Sequence, residues 1–526
     1  MEAFEDLKKA IADLVIINAN VITMNKKQPK AEAVAIKTGK IVEVGSNEEI
    51  QAFAGKETRT IDLHGKTVVP GLIDAHVHLL SLSPGRLVEL RDVSSIVEMQ
   101  QKLKAQVQKT KKRKWIVGRG WDQDRLKESR YPTRWDLDKI SPENPVLLWR
   151  VCGHIAVANS KALEIANFGK LAAASLGELV DRDSTTGEPT GILRERAVDI
   201  VSRHAEPHDE DLNEACISAC QVAAKAGLTS VHWLASDPYE VKALKELRKR
   251  NELPIRVNLI IPVEHLQRFN TKKLDDPFLR LGCAKVFVDG SLGARTAALK
   301  QPYSDDPSTK GVLYYSMDEL GALIKTIDEA GFQAAVHVIG DSAVDQALKA
   351  FEEAVDKSAI KKHRHRLEHV SVLNPRLLER IRELGLSVCV QPHFVVSDFW
   401  VPKRLGPERA RWTYPIKSLI KSGILVAGSS DAPAEPVNPI LGIWAAVARE
   451  SFPEERISVD QALEVYTLSG AYLSFEEAVK GSIEKGKFAD LTVLSKNPLK
   501  IKPEEIREIR VEMTIVNGKV VYAAGD

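Results

Sequence analysis

The sequence predicts an α/β fold: a distorted (β/α)8 TIM barrel with a small β-sandwich built from both chain termini and a large insertion after the first barrel strand. Three observations predict it. Eight short, apolar, β-rich runs alternate with helix-like stretches through the middle of the chain, the number such a barrel needs. Two β-patterned segments, each too small for a core of its own, stand at opposite ends. A gap of 150 residues separates His78 from Thr229, far beyond the length of one βα unit.

The N-terminal β segment comprises LVIINANVITM (14–24), AVAIKTGKIVEVG (33–45) and TRTIDLHGKTVVP (58–70), with TGK as a turn signal. GKFADLTVLS (486–495) and VEMTIVNGKVVYAAG (511–525) repeat the pattern, and Asn517-Gly518 marks a hairpin. Residues 1–68 and 481–526 are therefore expected to form one composite sandwich, with the barrel at 69–480. The expected barrel strands are LIDAHVH (72–78), TSVHWL (229–234), IRVNLII (255–261), AKVFVDG (284–290), QAAVHVIG (333–340), HRLEHV (365–370), SVCVQPH (387–393) and ILVAGSSD (424–431). Stretches such as MDELGALIKTIDEAG (317–331) and DSAVDQALKAFEEAV (341–355) supply the helices between them. The insertion, at about 85–220, contains LVELRDV, KWIVGRGWDQDRL and PVLLWRVCGHIAVANSKAL. An insertion after strand 1 overhangs the mouth where barrel sites lie, so it is read as shaping a substrate pocket, with a peripheral subdomain as the rival reading.

Composition closes off several function classes. With 44% hydrophobic and 28% charged residues the chain can bury a large core, and a net charge of +2 creates no global field for nucleic acid or anionic membrane. The basic run KTKKRK (109–114) has no aromatic platform beside it and reads as a solvated loop or helix end. Five scattered cysteines argue against a disulfide framework; Cys216 and Cys220 fall in an Ala-rich helical pattern that suits burial. The start, MEAFEDLKKAIADL, lacks the features of a signal peptide, and no segment has the ~20 apolar residues of a membrane span. The expected setting is the cytoplasm and the expected partner a small-molecule substrate, with neither nucleic acid nor membrane; a homo-oligomer is compatible with the sequence.

The chemistry begins at DAHVH (74–78). Residues i and i+2 of a strand share a face, so His76 and His78 aim two imidazoles into one space. His337 ends QAAVH, His369 ends HRLEH and Asp431 ends LVAGSSD, each at the C-terminal end of a separate expected strand. Four imidazoles and a carboxylate converging on one rim are costly to bury without a cation, and imidazole suits zinc and similar divalent metals.

With these motifs in place the chain resembles the amidohydrolase superfamily and, through its long insertion, amidohydrolase family 3. PGLIDAHVHL, KVFVDGSLGARTA, HVIGDSAVDQAL, RLEHV and GSSDAP carry the resemblance, which spans nearly the whole chain. It implies a metal centre held by His76, His78, His337, His369 and Asp431. It also implies that Lys285, in AKVFVDG, is N6-carboxylated by CO2 and bridges two metals. A carbamate is anionic and offers two oxygens, whereas a free ammonium would repel the cations. Lys285 is expected early in its strand, reaching up on its long stem, with an unmodified lysine paired to Asp289 or another carboxylate as the alternative.

The expected reaction is hydrolysis of a C–N bond by metal-activated water, with one or two divalent ions, zinc foremost, and Asp431 as general base and then acid. An amide or formamide outside a ring leads; a cyclic amide, a deamination or an ester suits the same site. A non-catalytic scaffold is the rival from another class. A seryl or cysteinyl hydrolase finds no support, since there is no GxSxG elbow and no Cys placed with a His partner. Four residues are pocket candidates. His154, in CGHIAVANS, matches a pocket element of relatives or is a loop histidine. His393, ending QPH, and His232, in SVHW, touch substrate or sit behind those that do. Arg295 binds an anion or forms a structural ion pair. His363, His365, His204 and His208 are read as solvated and outside the metal site.

Overall fold

The computed structural model describes residues 11–84, 87–168, 176–205, 212–267 and 274–525. The opening residues 1–10 and His208, both discussed above, lie outside these. Eight parallel strands follow one another around the barrel: β1 (Leu72–Val77), β2 (Leu228–Leu234), β3 (Arg256–Pro262), β4 (Leu279–Phe287), β5 (Gln333–Val338), β6 (Arg366–His369), β7 (Ser387–Val390) and β8 (Val426–Gly428). All six residues of β1 and all seven of β2 are buried, as strands covered on both faces should be. Outside them helices such as Met317–Glu329 and Asp341–Ala354 seal the apolar shell. The first of these starts at a reciprocal cap, Ser316 with Glu319, that satisfies free backbone donors.

The ladder runs unbroken from β1 to β8, and the seam between those two is closed by other means. At the upper rim the Asp431 N–H donates to the His76 carbonyl (2.9 Å) and the His78 N–H to the Ala432 carbonyl (2.8 Å). Asp74 accepts from Ser430 Oγ (2.5 Å) and from the Ser430 N–H (3.1 Å). At the lower end the Ile73 N–H donates to the Tyr466 carbonyl. The segments that carry His76 and Asp431 are thus tied to each other directly.

One difference from expectation concerns β4. It begins at Leu279, five residues before the apolar run AKVFV: Arg280 interrupts the hydrophobic pattern yet still pairs with Asn258 of β3, and Gly282 is passed over as a bulge before the ladder resumes. Lys285 consequently lies near the C-terminal end of its strand, not early in it.

Below the barrel, a six-stranded sheet takes strands from both ends of the chain, in the order Lys519–Ala523, Val511–Val516, Leu491–Leu494, Thr67–Pro70, Asn20–Ile22, Lys30–Ala31. A four-stranded sheet of N-terminal strands packs on it around Leu14, Ile16, Val68, Leu491 and Ile515. Thr67–Pro70 runs through Gly71 straight into β1. A Cβ on Gly71 would lie 2.1 Å from Thr229 Oγ1, so only glycine allows this close approach. The inserted unit is a six-stranded mixed sheet between Val88 and Arg194. Helix Leu212–Lys225 packs its Cys216, Ala219 and Cys220 face on the barrel core, so the inserted unit ends before it. Residues 109 and 111–114 of the basic run are exposed. No helix among the described residues is long and apolar enough to cross a membrane.

Candidate metal centre

Four strand ends and the seam bring the expected ligands together at the C-terminal rim. His76 Nε2 and His78 Nε2 lie 3.5 and 3.3 Å from Asp431 Oδ1, and donor atoms of these three residues all fall within 4.8 Å of one another. Lys285 Nζ is 3.3 Å from His76 Nε2. The His369 ring lies 5.2 Å from that of His76 and 4.5 Å from that of His337, centre to centre. Register sets this meeting: Phe287 pairs with His337 across β4 and β5, and Val338 with His369 across β5 and β6.

Three of the four rings are oriented by a partner on the far side. His76 Nδ1 donates to Glu368 Oε2 (2.5 Å), His369 Nδ1 to Gln391 Oε1 (2.7 Å) and His337 Nε2 to the Gly290 carbonyl (3.1 Å). That fixes the tautomers and leaves one lone pair on each ring for a cation. Burial holds His76 and His337 below their ordinary range and pushes His369 down to about 3, so these imidazoles are neutral, the form that ligates. Burial likewise lowers the Lys285 amine. Asp431 is held low: burial would raise it, but the hydrogen bond from His78 prevails. Three non-glycine residues here adopt left-handed backbone, His369 (φ 73°), Val370 (φ 49°) and Asp431 (φ 52°), the kind of strain that collects where function dictates geometry. Neutral imidazoles and a carboxylate gathered this closely are a donor set that fits a divalent ion.

The site opens into a cavity of about 2500 Å³ walled by the barrel rim and the insertion. His154 is on that wall, 5.5 Å from the His337 ring, with Nδ1 donating to Glu195 (2.9 Å), which also accepts from the Tyr314 hydroxyl. Burial alone would push His154 down, but Glu195 overrides it and raises it to about 9. His393 also lines the cavity, with Nδ1 donating to Glu435.

The other two pocket candidates are placed elsewhere. His232 is fully buried beneath the rim, accepting from Arg366 Nη1 (3.0 Å), and is not part of the cavity wall. Arg295 is also off the wall, held bidentately by Asp305 at 3.1 and 2.8 Å, the structural pair weighed against anion binding. Lys285 is not paired with Asp289, whose carboxylate accepts three backbone N–H bonds, from Ala298, Ile339 and Gly340. His365, expected to be solvated, is buried.

The carboxylates behind the rings escaped the sequence reading. Glu368 is wholly buried within β6, next to His369 and 2.6 Å from Arg366, and only the oddity of two charges inside an apolar strand could have flagged it. Glu195 and Glu435 lie 41 and 42 residues from the histidines they hold, with no periodicity to link them.

The family profile of the amidohydrolases matches residues 59–522. The chain belongs to the amidohydrolase family. A Bacillus subtilis (strain 168) protein named as an amidohydrolase, YtcJ, is 36% identical over 95% of this chain and 98% of its own length. An uncharacterized metal-dependent hydrolase from Pyrococcus furiosus superposes with a TM-score of 0.75 at 36% identity, covering 93% of this chain and all of its own. The N-substituted formamide deformylase of Arthrobacter pascens is 29% identical over 97% of this chain and 98% of its own. This amidohydrolase is thus a metal-dependent hydrolase acting on C–N bonds, built on the distorted barrel and added domain seen here.

Proposed function

We propose that this amidohydrolase cleaves the C–N bond of an amide or formamide outside a ring, with one or two divalent ions, zinc first among them, and with Lys285 as its carbamate. The observation that carries the reading is the meeting of His76, His78 and Asp431 donor atoms within 4.8 Å, beside a buried lysine nitrogen, at the floor of a large cavity. Similarity along the whole chain to a formamide deformylase favours an acyclic substrate.

His76, His78, His337, His369 and Asp431 would hold the metal, joined by the two oxygens of a carboxylated Lys285. Burial favours the uncharged Lys285 amine; its lone pair attacks CO2, and loss of the N–H proton leaves an anionic carbamate. A divalent ion, when bound, supplies Lewis acidity and acidifies water. Asp431 accepts the proton of the attacking water and delivers it to the departing nitrogen. His154, with Nδ1 occupied by Glu195, keeps Nε2 for the substrate carbonyl.

The test is metal analysis of the purified protein combined with turnover of a panel of formamides, acetamides, cyclic amides, aminopurines and esters. One or two equivalents of zinc or a similar ion are expected, with hydrolysis of acyclic amides that a chelator abolishes and readded metal restores. Undiminished turnover after complete metal removal would overturn the reading, as would exclusive action on cyclic or ester substrates.

A further inference from the structure

The insertion carries two cations that the chemistry above does not use. The four largest fully buried arginines each have a carboxylate: Arg150 with Asp122 (2.7 Å), Arg256 with Asp490 (2.6 Å), Arg366 with Glu368 (2.6 Å) and Arg404 with Asp305 (3.0 Å). Arg119 and Arg91, both on the cavity wall, have none within ion-pair reach among the described residues. Arg119 Nη2 donates to the Val151 carbonyl at 3.3 Å, and its Nε is shielded from solvent with no acceptor. Arg91 donates to the Pro433 carbonyl, two residues beyond Asp431, and its Nε is likewise buried without an acceptor. Both side chains are half-buried with only Nε fully shielded, and a cavity wall is where an arriving ligand can supply the missing anion.

The backbone aims Arg119 on purpose. Its strand, Ile116–Trp121, pairs Arg119 with Trp149 and Trp121 with Arg150, so Gly120 is an extra residue in a bulge, with φ 105°. A Cβ there would lie 2.8 Å from the Arg91 backbone nitrogen, so glycine is needed for both the turn and the approach. Bulges of this kind redirect a side chain beside a site. Burial and then the Arg91 charge push Arg119 down, while Asp431 pulls it up; the outcome, about 10, keeps it cationic at neutral pH. Arg91, whose backbone Gly120 approaches, is hydrogen-bonded to the Pro433 carbonyl two residues beyond Asp431, and Asp431 is also the group that serves the leaving nitrogen. An anion on Arg119 therefore belongs on the amine side of the scissile bond.

We propose that Arg119, supported by Arg91, binds a carboxylate on the carbon next to the scissile nitrogen, so that the preferred substrates are N-acyl amino acids. The inference rests on the amide-hydrolase reading and narrows it. The planar guanidinium fork suits a carboxylate, and it needs no metal to bind one.

The experiment compares pairs that differ only in the carboxylate, such as N-formylphenylalanine against N-formylphenethylamine and N-acetylleucine against N-acetylisoamylamine, on the metal-loaded enzyme. The acids are expected to win by about 10–100-fold in kcat/KM, the range of a hydrogen bond to a charged group. Arg119→Gln is expected to cut that preference below about threefold by raising KM for the acids while leaving the neutral amides within about threefold of wild type; Arg119→Lys should keep part of it. Calorimetry on metal-loaded Asp431→Asn supplies a readout without turnover: the acid of a pair should bind at least tenfold more tightly, and Arg119→Gln in that background should erase the difference. Equal handling of acid and neutral partners by the wild type, in turnover and in binding, overturns the anchor, as does a preference that survives Arg119→Gln. Binding of neither partner overturns it too. A binding preference without turnover of any amide would sink the amide-hydrolase reading and still support the anchor.

Discussion

Two histidine–carboxylate clusters occupy opposite ends of the same barrel, and on ligand inventory they look alike. At the C-terminal rim stand His76, His78 and Asp431; at the other end, Asp328, His363 and His365 gather just as closely. The difference is on the far side of each ring. His76 gives its Nδ1 proton to Glu368, which leaves Nε2 free for a cation. His365 Nδ1 instead accepts the Ala334 N–H (2.9 Å), so Nε2 must carry the proton and donate it to Asp328 (3.0 Å). A metal could displace that bond only by making an imidazolate. The lower cluster is a hydrogen-bonded bolt between β5, β6 and the end of helix Met317–Glu329, and the upper one keeps a ring nitrogen available for the proposed metal. What decides between them is which nitrogen the second partner occupies.

That contrast can be broken by substitution. Asp431→Asn, which removes the proton carrier, should lower kcat by about 10³-fold in steady-state assays of the metal-loaded enzyme. A loss smaller than tenfold would leave the rim with no special standing. Glu368→Gln removes the charge that fixes the His76 tautomer and should weaken metal binding by about 10–100-fold, read from competition with a chromogenic chelator. Asp328→Ala should leave both metal content and kcat near wild type. It should cost about 1–3 kcal/mol in denaturant unfolding, because the His365 Nε2 proton loses its acceptor. A drop in bound metal with this variant would erase the distinction drawn above.

The smallest effect concerns acid. Burial, only partly offset by Asp328, holds folded His365 down at about 4, against 6.5 in an unfolded chain. Between those values the unfolded chain takes up a proton that the folded chain refuses. The stabilisation is complete above pH 6.5 and drains away as the pH falls toward 4. His365→Gln should flatten that part of the stability–pH curve of the metal-stripped protein; an unchanged slope would mean His365 already titrates normally.

The barrel, and the histidines and aspartate that meet at its rim, were largely legible because each depends on a local pattern. Period-two placement puts His76 and His78 on one face, and an apolar run followed by a turn marks His337, His369 and Asp431 as strand-end residues. What stayed hidden depends on partners distant in the chain. Glu368 stands 292 residues from His76, and only the closed barrel brings them together. His365 looked solvated within HRHR because its acceptor role is set by a neighbouring strand's backbone. Arg295 and Arg119 are indistinguishable as sequence, each an arginine between small residues. One finds Asp305 ten residues on, while the other is turned by a bulge toward an open space.

The composite sheet has a consequence for how the molecule is made. Thr67–Pro70, which leads into β1 with its His76, is itself gripped by Leu491–Leu494, and that strand by Val511–Val516. A ribosome must therefore release almost the entire polypeptide before the strand bearing His76 acquires its final neighbours. Clipping the last few dozen residues, none of which lines the cavity, would leave His76 and His78 without a foundation.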